Sequence, residues 1–305
     1  GVYFDTAKMP DYGVLWGGKR IADREHARID ENSEKHNPED FALWKFNDKI
    51  GYPSKWGQGF PGWHIECSAM GMKFLGEQFD IHTGGIDHIS IHHTNEIAQS
   101  ECATGKKPFV NFWLHNEFVD TGGEKMAKSG DNFLTLSKVT ERKINPLAYR
   151  FLLLMVNYRS KLNFNWEALE AADVALKRLY RQYLALGSDV GKIVPNYHNK
   201  FIERISDDLD TPRIVSLIWD LVSDWRVSDA DKKATLIEFD KVLSLGFTDL
   251  KEEVVPEEIL ILVEERKKAR MNLDFQKSDE LRDKIYSLGY EVKDTKEGPK
   301  VLKLD

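Results

Sequence analysis

The apolar residues of this chain change rhythm near residue 146, and no other feature constrains the fold as much. Beyond that point Leu169, Ala172, Leu176, Leu179, Tyr183 and Leu186 recur at three-four spacing. That is the mark of a helix with one buried face, and Gly187 closes it. Residues 187–199 read as a break, and Thr211-Pro212 starts a further helix by the logic of a hydroxyl before proline. Pro256 opens another long helical stretch, and 274–288 reads as one more, ended by Gly289. The last 15 residues place VKD and KVLKL around a polar turn, a small hairpin. Before the change, residues 61–140 mix short apolar runs with glycine pairs. There FDIHTGGIDHISIHHTNEIAQSECATG reads as strand, glycine turn and helix, an α/β unit. Residues 1–60 are irregular, rich in glycine and charge, with aromatics in short bursts (Phe41, Trp44, Phe46, Trp56). The expected fold class is α/β followed by all-α.

Composition narrows the function. At 305 residues with 41% hydrophobic and 11% aromatic side chains, the chain can build one large or two ordinary cores and is not a disordered polymer. No apolar run approaches the roughly 20 residues of a membrane-spanning helix. The opening GVYFDTAKMPDYGVLW has neither the basic flank nor the apolar core of a signal peptide. Two cysteines, Cys67 and Cys102, cannot make a disulfide framework, so a reducing, cytoplasmic location is expected. With 43 Lys+Arg against 50 Asp+Glu the net charge is −7. Any nucleic-acid contact must therefore rest on a local patch.

The densest chemistry lies in 61–140, which holds six of the nine histidines and both cysteines. His92 and Glu96 are four residues apart in a helical segment, so both side chains share a face, the spacing of metal-binding helices. Cys67 could add a thiolate, and Cys, His and Glu together suit zinc, which takes S, N and O donors. Cys102, ten residues past His92, lies about 280° round the same helix and is a poor candidate. The competing reading is a buried small thiol and an exposed helix pair, and spacing alone leaves both open. His82 ends an apolar run just before Thr83-Gly84-Gly85 and Asp87. In an open parallel sheet ligands collect at the carboxyl ends of strands, and an acid just past such a turn suits ribose hydroxyls. Further on, Glu124-Lys125-Met126-Ala127-Lys128-Ser129-Gly130 forms a cationic loop able to clamp a triphosphate, or simply a solvated turn.

Taken together, Gly62-Trp63-His64-Ile65-Glu66-Cys67-Ser68-Ala69-Met70, Asp80-Ile81-His82, His92-His93-Thr94-Asn95-Glu96 and the KMAKS loop closely resemble cysteinyl-tRNA synthetases, class I aminoacyl-tRNA synthetases. The resemblance covers essentially the whole chain. It implies the C-terminal half of a Rossmann-type catalytic domain followed by a helical-bundle anticodon-binding domain. Residues 1–60 would be the end of the connective insertion and its linker to the core. Residues 61–140 would be the second half of the catalytic domain, 141–250 a helical stem and anticodon-arm domain, and 251–305 a C-terminal tRNA-binding region with the hairpin. Cys67, His92 and Glu96 would be zinc ligands, with Trp63 and His82 lining the cysteine pocket. Gly85 and Asp87 would meet the adenosine ribose. Lys128 would contact the ATP phosphates with Lys125 beside it, both as catalytic groups. The implied activity is activation of L-cysteine by ATP with Mg2+ and transfer to tRNA(Cys), by a monomer without membrane contact. Zinc would select the substrate thiolate over a hydroxyl, a discrimination a hydrophobic pocket could not reach.

Departures from the family pattern carry expectations of their own. The HIGH-type motif and one further zinc-ligating cysteine are not in this sequence, and Gly1 aligns inside the family's chain. The first half of the nucleotide-binding fold is therefore expected to be missing, and the chain as it stands should make no adenylate. Ala127 replaces the usual serine of the KMSKS loop, and Thr83 stands where glycine is common. Arg266-Lys267-Lys268-Ala269-Arg270, interleaved with acids, reads as a solvated, salt-bridged helix face that the resemblance turns toward tRNA. Two rivals remain: a mycothiol-pathway cysteine ligase, and a non-catalytic zinc-containing RNA-binding paralogue.

Overall fold

A computed structural model describes residues 1–17, 34–121, 135–250, 256–295 and 298–303. The chain forms two compact units, Gly1–Leu245 and Gly246–Asp305.

The first unit opens with an antiparallel sheet in the order β1 (Val2–Phe4), β2 (Phe41–Phe46), β3 (Gly59–Pro61). The aromatic bursts of the sequence are what this sheet packs with. Phe4 lies opposite Phe41 and the two rings stack at 4.9 Å. Phe41 joins Met9 and Ala98 in a buried cluster. Asp40, itself buried, ties the irregular flanks together. Its carboxylate accepts hydrogen bonds from the Thr6, His36 and Asn37 backbone N–H groups and from the Thr6 hydroxyl. Burial works against ionisation there, but those donors prevail and hold the carboxyl below its usual range.

β3 leads directly into α1 (Trp63–Leu75) through Gly62. A Cβ at Gly62 would sit 1.9 Å from the Ala42 carbonyl oxygen, so only glycine lets the chain leave the sheet here. β4 (Phe79–Gly85) and β5 (Val110–Asn116) pair in parallel, with α2 (His92–Thr104) as the crossover between them. This is the expected strand, glycine turn and helix. β6 (Val119–Asp120) and β7 (Leu162–Asn163) form a second parallel pair, joined through α3 (Leu136–Glu141) and α4 (Pro146–Leu154).

The helical part follows. α5 (Trp166–Ala185) starts on the Asn165 side chain, which accepts from the Ala168 N–H, and buries Leu169, Ala172, Leu176, Leu179 and Tyr183. Gly187 then takes φ +82°, where the helix stops. The break after it is shorter than the sequence pattern implies, because α6 (Pro195–Ser206) begins with Pro195 in its first turn. α7 (Thr211–Ser223) has Asp210, not Thr211, at its N-cap, and α8 (Asp229–Leu243) follows. Phe201 of α6 stacks on Phe239 of α8 at 4.3 Å.

In the second unit α9 (Glu257–Met271) and α10 (Phe275–Ser287) pack with the hairpin of β8 (Tyr290–Thr295) and β9 (Gly298–Lys303). Their core is Ile259, Leu262, Val263, Leu281, Ile285 and Val292. The basic run departs from the sequence expectation at one residue. Arg266 is buried rather than solvated, and its guanidinium grips Asp294 of the hairpin through two hydrogen bonds of 2.9 and 3.0 Å. Lys267 and Lys268 are exposed.

The Tyr180 hydroxyl of α5 donates to the Leu245 carbonyl at 2.5 Å. Burial, then the charges of Asp240 and Asp173, raise this phenol from 10.0 to about 12. A raised pKa means the folded state holds its proton longer than the unfolded chain, so this contribution is intact below pH 10 and disappears as pH climbs from 10 to about 12. Urea denaturation across that window should show a shallower loss for Tyr180→Phe than for the parent. Parallel losses would mean the phenol does not couple to folding.

Candidate metal centre

Helix α2 is buried from His92 to Glu101, although Ile97 and Ala98 are its only apolar residues in that stretch. A buried helix of such polarity must find partners for its side chains. Many are found. Thr94 Oγ1 donates to the Ile89 carbonyl, Tyr12 donates to Asn95 Oδ1 at 2.6 Å, and Glu101 Oε1 accepts from the Phe109 N–H. Gln99 Nε2 donates to the His64 carbonyl and to Ser68 Oγ, both at 2.6 Å, which locks α2 against α1.

Glu96 breaks this pattern. Both carboxylate oxygens are buried and neither accepts a well-formed hydrogen bond. Their neighbours are imidazoles, with His92 Nε2 2.7 Å from Oε1 and His82 Nε2 3.2 Å from Oε2, neither at a good hydrogen-bonding angle. Burial pushes this carboxyl up, but His82 and His92 outweigh it and hold it at about 2. The group is therefore a buried anion that two imidazoles keep ionised, which makes both of its oxygens ready ligands for a cation.

The sequence-derived trio meets at this carboxylate. One donor atom each from Cys67, His92 and Glu96 lie within 4.8 Å of one another. Cys67 comes from α1, half-buried, and burial followed by the nearby Glu96 and Glu66 charges pushes its thiol up. The thiol thus stays protonated until a cation draws the proton off. His92 offers Nε2 toward Glu96 while its Nδ1 is 2.9 Å from His64 Nδ1. His64 thus takes the outer place, on the far nitrogen of a ligating histidine, that a carboxylate, carbonyl or water commonly fills. Burial, then the neighbouring His92, takes His64 down to about 4, so it stays neutral and available as that partner. The donor set and the buried, ionised carboxylate both fit a borderline divalent cation such as zinc.

The other candidates surround this point. Trp63, first residue of α1 and 56% exposed, stacks on His92 at 4.1 Å, forming a wall open to solvent. His82 projects from β4, its ring edge-on to Trp113 at 5.0 Å and 4.6 Å from the ring of His93. Gly85 ends β4 and Asp87 lies in the single helical turn after it. A Cβ on Gly85 would come within 2.4 Å of Asp87 Oδ1, so the acid lies close against the strand end. Lys125 and Lys128 fall outside the described residues. Cys102 is exposed.

Sequence reasoning missed His64, His88, His93 and His115, which pack round the centre. His93 Nδ1 is 2.8 Å from His115 Nε2, and burial takes His93 down to about 3. The concentration of histidine in 61–140 was the available signal. Which rings meet depends on the β4–β5 register, which puts His82 beside Trp113 and Gly84 beside His115.

The catalytic-domain model of tRNA synthetases class I (C) matches residues 1–174. The chain belongs to this family. Cysteine--tRNA ligase 1 of Burkholderia lata is 41% identical over 318 residues, covering 99% of this chain and 65% of the relative. The cysteine--tRNA ligase of Caldicellulosiruptor saccharolyticus is 43% identical over 329 residues, covering 99% and 70%. The chain thus spans about two thirds of the length of these synthetases. Among solved structures, Mycobacterium tuberculosis methionyl-tRNA synthetase in complex with methionyl-adenylate is similar at 17% identity and a TM-score of 0.44, over 68% of this chain and 50% of that one.

Gly84 gives the centre its closeness. A Cβ there would lie 2.6 Å from His93 Cε1 and 2.7 Å from His88 Nδ1, and both rings are hemmed in. Gly84→Ala should cost about 1–3 kcal/mol in chemical denaturation, the range for overpacking. A neutral result would mean the rings can move aside.

Proposed function

We propose that this chain carries the amino-acid-selecting part of a cysteine–tRNA ligase, which activates L-cysteine with ATP and Mg2+ to cysteinyl-adenylate and pyrophosphate and then charges tRNA(Cys). The observation that carries this reading is the convergence of Cys67, His92 and Glu96 donor atoms within 4.8 Å, next to Trp63 and His82. A zinc ion held by those three would bond the substrate sulfur directly, and sulfur is a far better partner for it than the serine hydroxyl.

The chain's own residues do the rest. Trp63 covers one side of the pocket and limits its width, since its ring already rests on His92. His82 faces the pocket from the strand side with an imidazole whose ring nitrogens can meet the amino acid's polar groups. Gly85 lets the ribose approach the strand end, and the Asp87 carboxylate accepts from its hydroxyls. Lys125 and Lys128 offset charge on the ATP phosphates as pyrophosphate leaves. Magnesium accompanies the nucleotide because the transferring charge needs neutralising.

The tRNA reading draws on the helical part of the chain. Residues 141–250 would follow the anticodon arm, and 251–305 would bind it, with exposed Lys267 and Lys268 toward phosphate. Residues 1–60 and 61–140 keep the insertion and catalytic roles. We assign the protein to the cytoplasm and expect a monomer. Among the described residues no helix is long and apolar enough to cross a membrane. The paired helices and hairpin of the second unit favour tRNA over the amino sugar of the mycothiol-pathway ligase, which needs no such module.

Elemental analysis of Cys67→Ala against the parent tests the centre: zinc should fall to background in the variant, and equal zinc in both removes Cys67 from the coordination sphere. Cysteine-dependent ATP–pyrophosphate exchange by the full-length protein tests the chemistry. Absence of exchange would leave the non-catalytic RNA-binding reading.

A further inference from the structure

The buried histidines around α2 exceed what one three-ligand centre uses. Besides Cys67, His92 and Glu96, two other sets of donor atoms lie within 4.8 Å of one another: His88 with His92 and His93, and His82 with His93 and Glu96. The first of these draws on His92, which the centre already occupies. The second shares only Glu96, and a carboxylate has two oxygens to share.

We propose that His82, His93 and Glu96 form a second divalent-cation site, joined to the first by Glu96 as a bridging carboxylate. Each oxygen has its own imidazole neighbour, Oε1 with His92 Nε2 at 2.7 Å and Oε2 with His82 Nε2 at 3.2 Å. Both oxygens are buried and neither accepts a hydrogen bond of good geometry, so each is open to a cation. His93 is oriented from behind, its Nδ1 held 2.8 Å from His115 Nε2, which repeats the support His64 gives His92. The His82 side chain is 26% exposed whereas that of Glu96 is 1% exposed, so the second site opens to solvent on the His82 side and has a path for entry.

Two imidazoles and one carboxylate form a set that zinc, cobalt, nickel and copper accept, with positions left for water. It holds no thiolate, and its cation would sit beside another across one carboxylate, in the manner of two-metal sites about 3.5–4 Å apart. The second site therefore fills after the first and is the weaker of the two. This inference rests on the zinc reading of Cys67, His92 and Glu96. Within the proposed function it gives free divalent metal a regulatory effect, because a cation on His82 takes away a group facing the cysteine pocket.

Cadmium-113 NMR on the chain as it exists reads both sites at once. The parent should bind two equivalents of cadmium in order, giving one strongly deshielded thiolate-ligated resonance and then one in the nitrogen–oxygen region. His93→Gln should lose the second resonance and keep the first, and Cys67→Ala should lose the thiolate signature and keep the second. If His93→Gln does not fold, His82→Gln on the neighbouring strand asks the same question. Saturation of the parent at one equivalent, or a second resonance that survives both His93→Gln and His82→Gln, overturns the proposal. A parent with no thiolate-ligated resonance but a histidine-dependent one would instead overturn the first centre and leave this site standing as a mononuclear one.

Discussion

A carboxylate placed where neither water nor a proper donor reaches it has to be met by positive charge, and Glu96 is in that position. It sits on a helix whose outer surface is buried nearly all round yet mostly polar. His82 and His92 approach both of its oxygens without aligning to donate. Those imidazoles keep it ionised, and a buried carboxylate held in that state is a ready ligand for a bound cation. The thiol of Cys67, raised by burial, becomes a good ligand only once a metal replaces its proton.

The rest of the first unit holds these groups still. Gly62 lets α1 start at the sheet edge, which sets where Cys67 lies along the helix. Ser68, buried between the helices, accepts from Gln99 and from Ser100 and fixes α1 against α2. Ala98 packs under Met9 and Phe41, so the N-terminal sheet presses on the helix face away from the metal ligands. Asp40 anchors that sheet through backbone donors from two separate segments. The centre is built on helices and a strand rather than on loops, so its donor atoms are held at fixed spacing.

Much of this was legible in the sequence for identifiable reasons. The four-residue step from His92 to Glu96 survives because it is a local helix property, and the rhythm from Leu169 to Tyr183 became α5 for the same reason. The hairpin near the C-terminus was marked by its turn chemistry. Pairings between distant segments were not legible: His64 with His92, and His93 with His115, depend on how α1 and β5 are brought alongside α2. Arg266 shows the limit of local reading. In a run of alternating charges it looks solvated, but its three-four relation to Leu262, Val263 and Ala269 puts it on the buried face, where Asp294 compensates it. The KMAKS lysines fall on residues outside those described, so their place rests on the family resemblance.

Sulfur, nitrogen and oxygen from this chain must share one cation for Cys67, His92 and Glu96 to act as one centre. Zinc K-edge X-ray absorption on protein loaded with a single equivalent measures that shell directly. A mixed shell with one sulfur at about 2.3 Å and light atoms at about 2.0–2.2 Å is the expected result. A shell of nitrogen and oxygen alone would contradict it, since the ion would then have settled among the histidines without Cys67.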